Sequence, residues 1–118
     1  MSRLIKMAEK ARESAYAPYS GFKVGAALLT SDGKIFTGCN IENSSYGATI
    51  CAERVAIFKA VSEGYRGFSK LAVTAMPCGM CRQALAEFCG EDFEVIVGKE
   101  IYRLGDILPN SFTLPKEE

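Results

Sequence analysis

Apolar residues recur along the chain at spacings that change from segment to segment, and the changes mark out its elements. Leu4, Ile5, Ala8, Ala11 and Ala15 stand three and four residues apart among lysines and arginines, the spacing of an amphipathic helix that ends before Pro18. Tyr16-Ala17-Pro18-Tyr19-Ser20-Gly21-Phe22 reads as a loop rich in turn formers and aromatics, whose rings are as well suited to cover the core as to face a ligand. Two short apolar runs, residues 24–30 and 35–39, flank Ser31-Asp32-Gly33, and Asp-Gly in that setting predicts a hairpin. The polar stretch 40–47 supplies either turn and capping residues or hydrogen-bonding groups for a polyhydroxyl ligand. Val55, Phe58, Ala60 and Val61 predict a helix over 50–63, with Thr49 as its N-cap, Cys51 in its first turn and Gly64 as its stop.

The second half repeats the alternation. Residues 71–75 have the length and composition of a buried strand and run directly into Pro77. Ala84, Leu85 and Phe88 place a core helix over 81–88, again entered by a cysteine; strands follow at 93–97 and 101–104 around Gly98-Lys99, and a helical turn and irregular arm occupy 105–112. The order helix, hairpin, helix, strand, helix, strand, strand implies an α/β layered domain on a mixed sheet of about five strands. With 118 residues, no repeat and no linker, the expectation is one domain over 1–118.

Composition narrows what such a domain does. Lysines and arginines number 14, as do aspartates and glutamates, and no basic stripe gathers, which argues against a nucleic-acid partner held through its phosphates. No apolar run approaches the roughly 20 residues that span a bilayer, and the charged amphipathic start is not that of a signal peptide. The cytoplasm is therefore the expected compartment, where five cysteines read as metal ligands and free thiols rather than disulfides. The chain contains no histidine, so acid/base chemistry near neutral pH falls to a tuned carboxylate or a metal-activated water.

Three of the five cysteines lie in Cys51-Ala52-Glu53-Arg54 and Pro77-Cys78-Gly79-Met80-Cys81. Catalytic zinc commonly takes three protein ligands and leaves a fourth position open, and Glu53 stands where a carboxylate can serve as proton carrier. Three thiolates overcompensate the dication, so a guanidinium from Arg54 or Arg82 that donates to a ligating sulfur would withdraw charge, with Gln83 placed to orient it. For Arg82 a surface role beside nearby glutamates is an equal reading. Cys39 and Cys89 suit small hydrophobic positions. A thioredoxin-like pair at Cys78 and Cys81 is a weaker reading because it gives no role to Cys51 and Glu53, and a structural zinc module would more naturally supply four ligands.

These segments resemble the zinc-deaminase signature, and cysteine as the first ligand is similar to the homotetrameric cytidine deaminases. The likeness extends over nearly the whole chain, through Tyr16-Ala17-Pro18-Tyr19-Ser20, Phe22-Lys23-Val24-Gly25-Ala26-Ala27, Asn40-Ile41-Glu42-Asn43 and Cys81-Arg82-Gln83. It implies a three-layer α/β/α fold with a mixed five-stranded sheet, one Zn²⁺ per subunit on Cys51, Cys78 and Cys81, and Glu53 as proton shuttle. It further implies that Asn40 and Glu42 hold the ribose, that Phe22 packs against the nucleoside, and that the backbone at Cys51 and Ala52 meets the pyrimidine edge. Arg54, steadied by Gln83, would damp the thiolate charge, while Tyr46, the backbone near Ser44, and Phe112 would complete a neighbour's site in a homotetramer. The implied reaction is attack of zinc-activated water on C4 of cytidine or deoxycytidine, in pyrimidine salvage. A related alternative is another cytosine nucleoside such as blasticidin S. Two departures from the family pattern are a connection before Pro77 reduced to Met76 and a shortened hairpin after Val97.

Overall fold

The computed structural model describes residues 2–116. Among them four α-helices, α1 (Ser2–Arg12), α2 (Ala52–Ser62), α3 (Gly79–Phe88) and α4 (Leu104–Ile107), and a 3-10 turn at Tyr46–Ala48 accompany five strands, β1 (Gly25–Thr30), β2 (Ile35–Cys39), β3 (Phe68–Val73), β4 (Glu94–Val97) and β5 (Glu100–Arg103). The strands form one sheet in the order β2-β1-β3-β4-β5. Only the β3–β4 pair is parallel, as a crossover through α3 requires, so the sheet is mixed.

Side-chain alternation divides this sheet into two faces. Ala27, Ala72 and Ile96 lie in register across three strands and pack with Leu4 and Ala8 of α1. Their neighbours Leu28, Leu71 and Val95 face the other way, against Ala52, Ala56, Ile57 and Ala60 of α2 and Leu85 of α3. This is the α/β/α layering, and small residues bring the layers close. A Cβ on Gly25 would fall 2.0 Å from the Ala8 carbonyl oxygen, and one on Gly38 would fall 2.4 Å from that of Ala52.

The predicted hairpin is present. Thr30 and Lys34 close it with a 2.8 Å backbone bond, the Thr30 hydroxyl donates to Asp32, and Gly33 adopts φ +95°. The shortened second hairpin joins β4 to β5 through Gly98 and Lys99 alone, with Gly98 at φ +62°.

Several boundaries differ from the sequence expectation. Helix α1 stops at Arg12, so Ala15 is buried outside it. Helix α2 starts at Ala52, with Cys51 rather than Thr49 in the N-cap position. The reason lies outside the helix: Ile50 exchanges two backbone hydrogen bonds with Ile41, at 2.9 and 3.0 Å, which commits it to extended geometry. The Thr49 hydroxyl instead accepts from the Asn43 N–H. Phe58, expected on the buried face, is 43% exposed; the alanine stripe at 52, 56 and 60 takes that face and lets α2 approach the sheet closely. Leu104, assigned by pattern to the last strand, begins α4 and is buried there.

Candidate active site

Helices α2 and α3 present their N-termini to one point. Cys51 and Cys78 occupy their N-cap positions in extended conformation, and neither sulfur caps its own helix. Cys81 lies in the first turn of α3, fully buried. The Sγ atoms of Cys51, Cys78 and Cys81 all lie within 4.8 Å of one another, with 3.8 Å between Cys51 and Cys78 and 3.5 Å between Cys78 and Cys81. Sulfurs bound at about 2.3 Å to a tetrahedral zinc stand about 3.8 Å apart, so the cluster fits that ion with little adjustment. Unpaired N–H groups and the positive ends of two helices favour thiolate at this point. The Cys81 thiol's hydrogen bond, with support from Arg54 and Cys78, draws Cys51 down to about 5 against burial; the same coupling pushes Cys81 upward.

Glu53 lies in the first turn of α2 and is 3% exposed. Burial pushes its carboxyl up to about 7, aided by the charge on Cys51 and opposed by its own backbone N–H and by Arg54. A carboxyl so placed exchanges protons near neutral pH. Arg54 donates to Cys51 Sγ at 3.5 Å and also faces Cys81, while its Nε is the one buried side-chain nitrogen or oxygen without a partner among the described residues. Gln83 does not steady it, because the Gln83 amide donates instead to the Phe112 carbonyl at 2.8 Å. Arg82 reaches neither a sulfur nor a glutamate; it donates to the carbonyls of Pro77 and Ile107, tying the approach to Cys78 to the end of α4.

A cavity of about 300 Å³ opens beside the sulfurs, lined among others by Cys51, Glu53, Cys78, Phe22 and Met76. Asn40 and Glu42 also line it. Backbone bridges tie these segments together: Tyr16 bridges to Ile41, between Asn40 and Glu42, and Ile41 bridges to Ile50, which leads into Cys51. Asn40 accepts from the Val24 N–H and donates to the Phe22 carbonyl, both at 2.8 Å. The Glu42 carboxylate is buried and accepts from the backbone N–H groups of Tyr19 and Ser20 and from the Ser20 hydroxyl. The Ser20 hydroxyl bond, followed by those two N–H groups and opposed by desolvation, holds Glu42 below its ordinary range.

Thus Cys51, Ala52, Glu53, Cys78, Phe22, Asn40 and Glu42 meet on one cavity, with Cys81 behind it, whereas Tyr46 and Phe112 are not among its lining residues and are each 63% exposed. Tyr16 and Tyr19 are likewise more than half exposed and do not cover the core. Sequence reasoning missed Ser20 and the apolar contributions of Val24, Ile50 and Met76. Ser20 carried one local signal, a hydroxyl followed by glycine in a turn, but its partner lies 22 residues away.

Residues 1–98 match the model of the cytidine and deoxycytidylate deaminase zinc-binding region. A cytidine deaminase from Sporosarcina psychrophila is 50% identical over 124 residues, covering 96% of this chain and 91% of its own length. The crystal structure of cytidine deaminase from Burkholderia pseudomallei has a TM-score of 0.88 at 48% identity, over 94% of this chain and 98% of that one. The corresponding structure from Mycobacterium tuberculosis gives 0.89 at 43% identity, over 96% and 97%. With a five-stranded mixed sheet, three clustered cysteines and these relatives, the chain belongs to the cytidine and deoxycytidylate deaminase family of zinc-dependent hydrolytic deaminases.

Proposed function

We propose that the chain, as one catalytic domain over residues 1–118, converts cytidine and deoxycytidine to uridine and deoxyuridine with release of ammonia. The observation that carries this reading is a single cavity of about 300 Å³ lined by two sets of groups: Cys51, Cys78 and Glu53, and Asn40, Glu42 and Phe22. The first set suits a hydrolytic centre and the second a sugar with an attached ring.

Cys51, Cys78 and Cys81 would hold one Zn²⁺ per subunit, which supplies a Lewis acid that activates water. As a water oxygen bonds to C4 of the base, Glu53 would carry one of that water's protons to N3, where it stays, and then the other from the C4 oxygen to the exocyclic nitrogen. The C4–N bond then breaks, ammonia leaves, and the oxygen remains as the uracil carbonyl. Arg54 offsets the surplus negative charge of three thiolates through its hydrogen bond to Cys51. The backbone at Cys51 and Ala52 lies at the N-terminus of α2, where free N–H groups face the pyrimidine carbonyl. Asn40 retains one acceptor and one donor beyond its bonds to Val24 and Phe22, and these engage the sugar together with Glu42.

Tyr46 and Phe112, exposed and outside their own cavity, complete a neighbour's site in a homotetramer on this reading, and the Gln83 bond to Phe112 holds that arm. The enzyme serves pyrimidine salvage in the cytoplasm. Among the described residues no helix is long and apolar enough to cross a membrane.

The test is ultraviolet-monitored turnover of cytidine by zinc-loaded protein beside Glu53→Ala. We expect the variant to retain zinc and to lose at least about a hundredfold in kcat, the scale of a positioned acid/base. Intact protein that binds zinc yet leaves cytidine and deoxycytidine unchanged would refute the nucleoside assignment. Equal turnover by the variant would remove Glu53 from the chemistry.

A further inference from the structure

Ser20 connects the two groups on the sugar side of the cavity through one oxygen. Its hydroxyl donates to Glu42 Oε2, and the same oxygen accepts the Phe22 N–H at 3.1 Å. Gly21 between them adopts φ +72°, a left-handed conformation that turns the Phe22 N–H back toward Ser20. The Tyr19 and Ser20 N–H groups both bond Glu42 Oε1, at 2.9 and 3.2 Å. An ionised carboxylate offers about four acceptor positions. Three are committed to this loop, which leaves Oε2 one position for a ligand hydroxyl and fixes its direction.

We propose that Ser20 is a positioning residue for nucleoside binding, aligning the free acceptor of Glu42 with the ring of Phe22 so that sugar and base are engaged in one pose. The role rests on the cytidine reading given above. Ser20 spends its hydrogen bonds on Glu42 and Phe22 and none on the sulfurs or Glu53, so its contribution falls on substrate binding rather than on the chemical step. Without the hydroxyl, Glu42 keeps its two backbone donors but its second oxygen loses its internal partner, and the Phe22 N–H is released. A ligand hydroxyl then meets a carboxylate whose orientation is no longer dictated by the loop that carries the aromatic.

The experiment compares Ser20→Ala and Ser20→Thr with the unaltered zinc-loaded protein, measuring kcat and KM for cytidine, zinc content and thermal midpoint. Ser20 is exposed, so the methyl of threonine has room. The expected result is a KM raised about tenfold in Ser20→Ala, as for loss of a hydrogen bond to a charged group, with kcat changed less than about twofold. Zinc content should match, and Ser20→Thr should recover most of the lost affinity. A KM within about twofold of the unaltered protein, a loss confined to kcat, or a threonine variant as impaired as the alanine one would each overturn the proposal. If the unaltered protein does not turn over cytidine, the substrate reading fails and this role with it. An active protein with an unaffected alanine variant removes the Ser20 role alone.

Discussion

Glu42 is a buried carboxylate kept charged by hydrogen bonds rather than by an ion pair, and its titration is therefore a probe of the loop that surrounds it. Its folded-state pKa lies below the ordinary 4.5, chiefly through the Ser20 hydroxyl. A depressed carboxylate adds stability above its unfolded value and loses it as pH falls through the lower folded value. Glu42→Gln should thus be less stable than the parent at neutral pH, and the gap should close as pH falls below 4.5. Thermal melts of both proteins between neutral and acid pH would check this; a gap that stays constant across the range would mean that the charge is not what holds the loop. Glu53 is the converse case. Burial raises its pKa to about 7, so its environment favours the proton that Glu42's repels, and the two carboxylates of one cavity are suited to different tasks.

At the level of elements, the site depends on how closely α2 sits on the sheet. Gly38 of β2 leaves no room for a side chain, since a Cβ would stand 2.4 Å from the Ala52 oxygen and 2.7 Å from the Ala56 nitrogen. Both are backbone atoms in the helix that begins beside Cys51 and carries Glu53. Gly38→Ala should cost about 1–3 kcal/mol through overpacking and should also weaken zinc retention, because the only relief is to move α2 away from β2. Thermal denaturation together with competition against a zinc chelator would measure the two effects. Loss of stability with unchanged zinc release would show that α2 yields elsewhere than at its N-terminus. Helix α3 is secured differently, through Arg82, whose bonds to the Pro77 and Ile107 carbonyls link the Cys78 approach to the C-terminal arm.

For the whole molecule, the two sides of the sheet carry different duties. Helix α1 covers one face with Leu4 and Ala8, while α2 and α3 cover the other and supply all three sulfurs from their N-terminal ends. Phe22 and Met76 of the cavity lining remain substantially exposed, as do Tyr16, Tyr19, Ile41, Tyr46 and Phe112. That much exposed aromatic and aliphatic surface fits burial between copies of the chain, the homotetramer proposed above. Sedimentation equilibrium should return a mass near four times 12.8 kDa, and a monomer with undiminished kcat would sink the shared-site assembly.

What the sequence determined by itself was whatever depends on near neighbours. The Ser31-Asp32-Gly33 hairpin, the helix that carries Glu53 close behind Cys51, and the Cys78–Cys81 spacing at the start of α3 follow from turn chemistry and helical periodicity acting over a few residues. Hence the mixed α/β order and the three-cysteine site with its carboxylate were legible before any coordinates. Tertiary structure decided where a polar group had a choice of distant partners. Ile41 claimed Ile50, which moved the N-cap from Thr49 to Cys51; the Phe112 carbonyl claimed Gln83, which left Arg54 to the sulfurs; and Ser20 found Glu42 across 22 residues. The face of α2 was decided in the same way. Large apolar residues suggested that Phe58 was buried, but the helix crosses Gly38 at Ala52 and Ala56 and turns Ile57, not Phe58, into the core. Local bonding rules name the candidates for each contact, and the competition among them is resolved only when the layers pack.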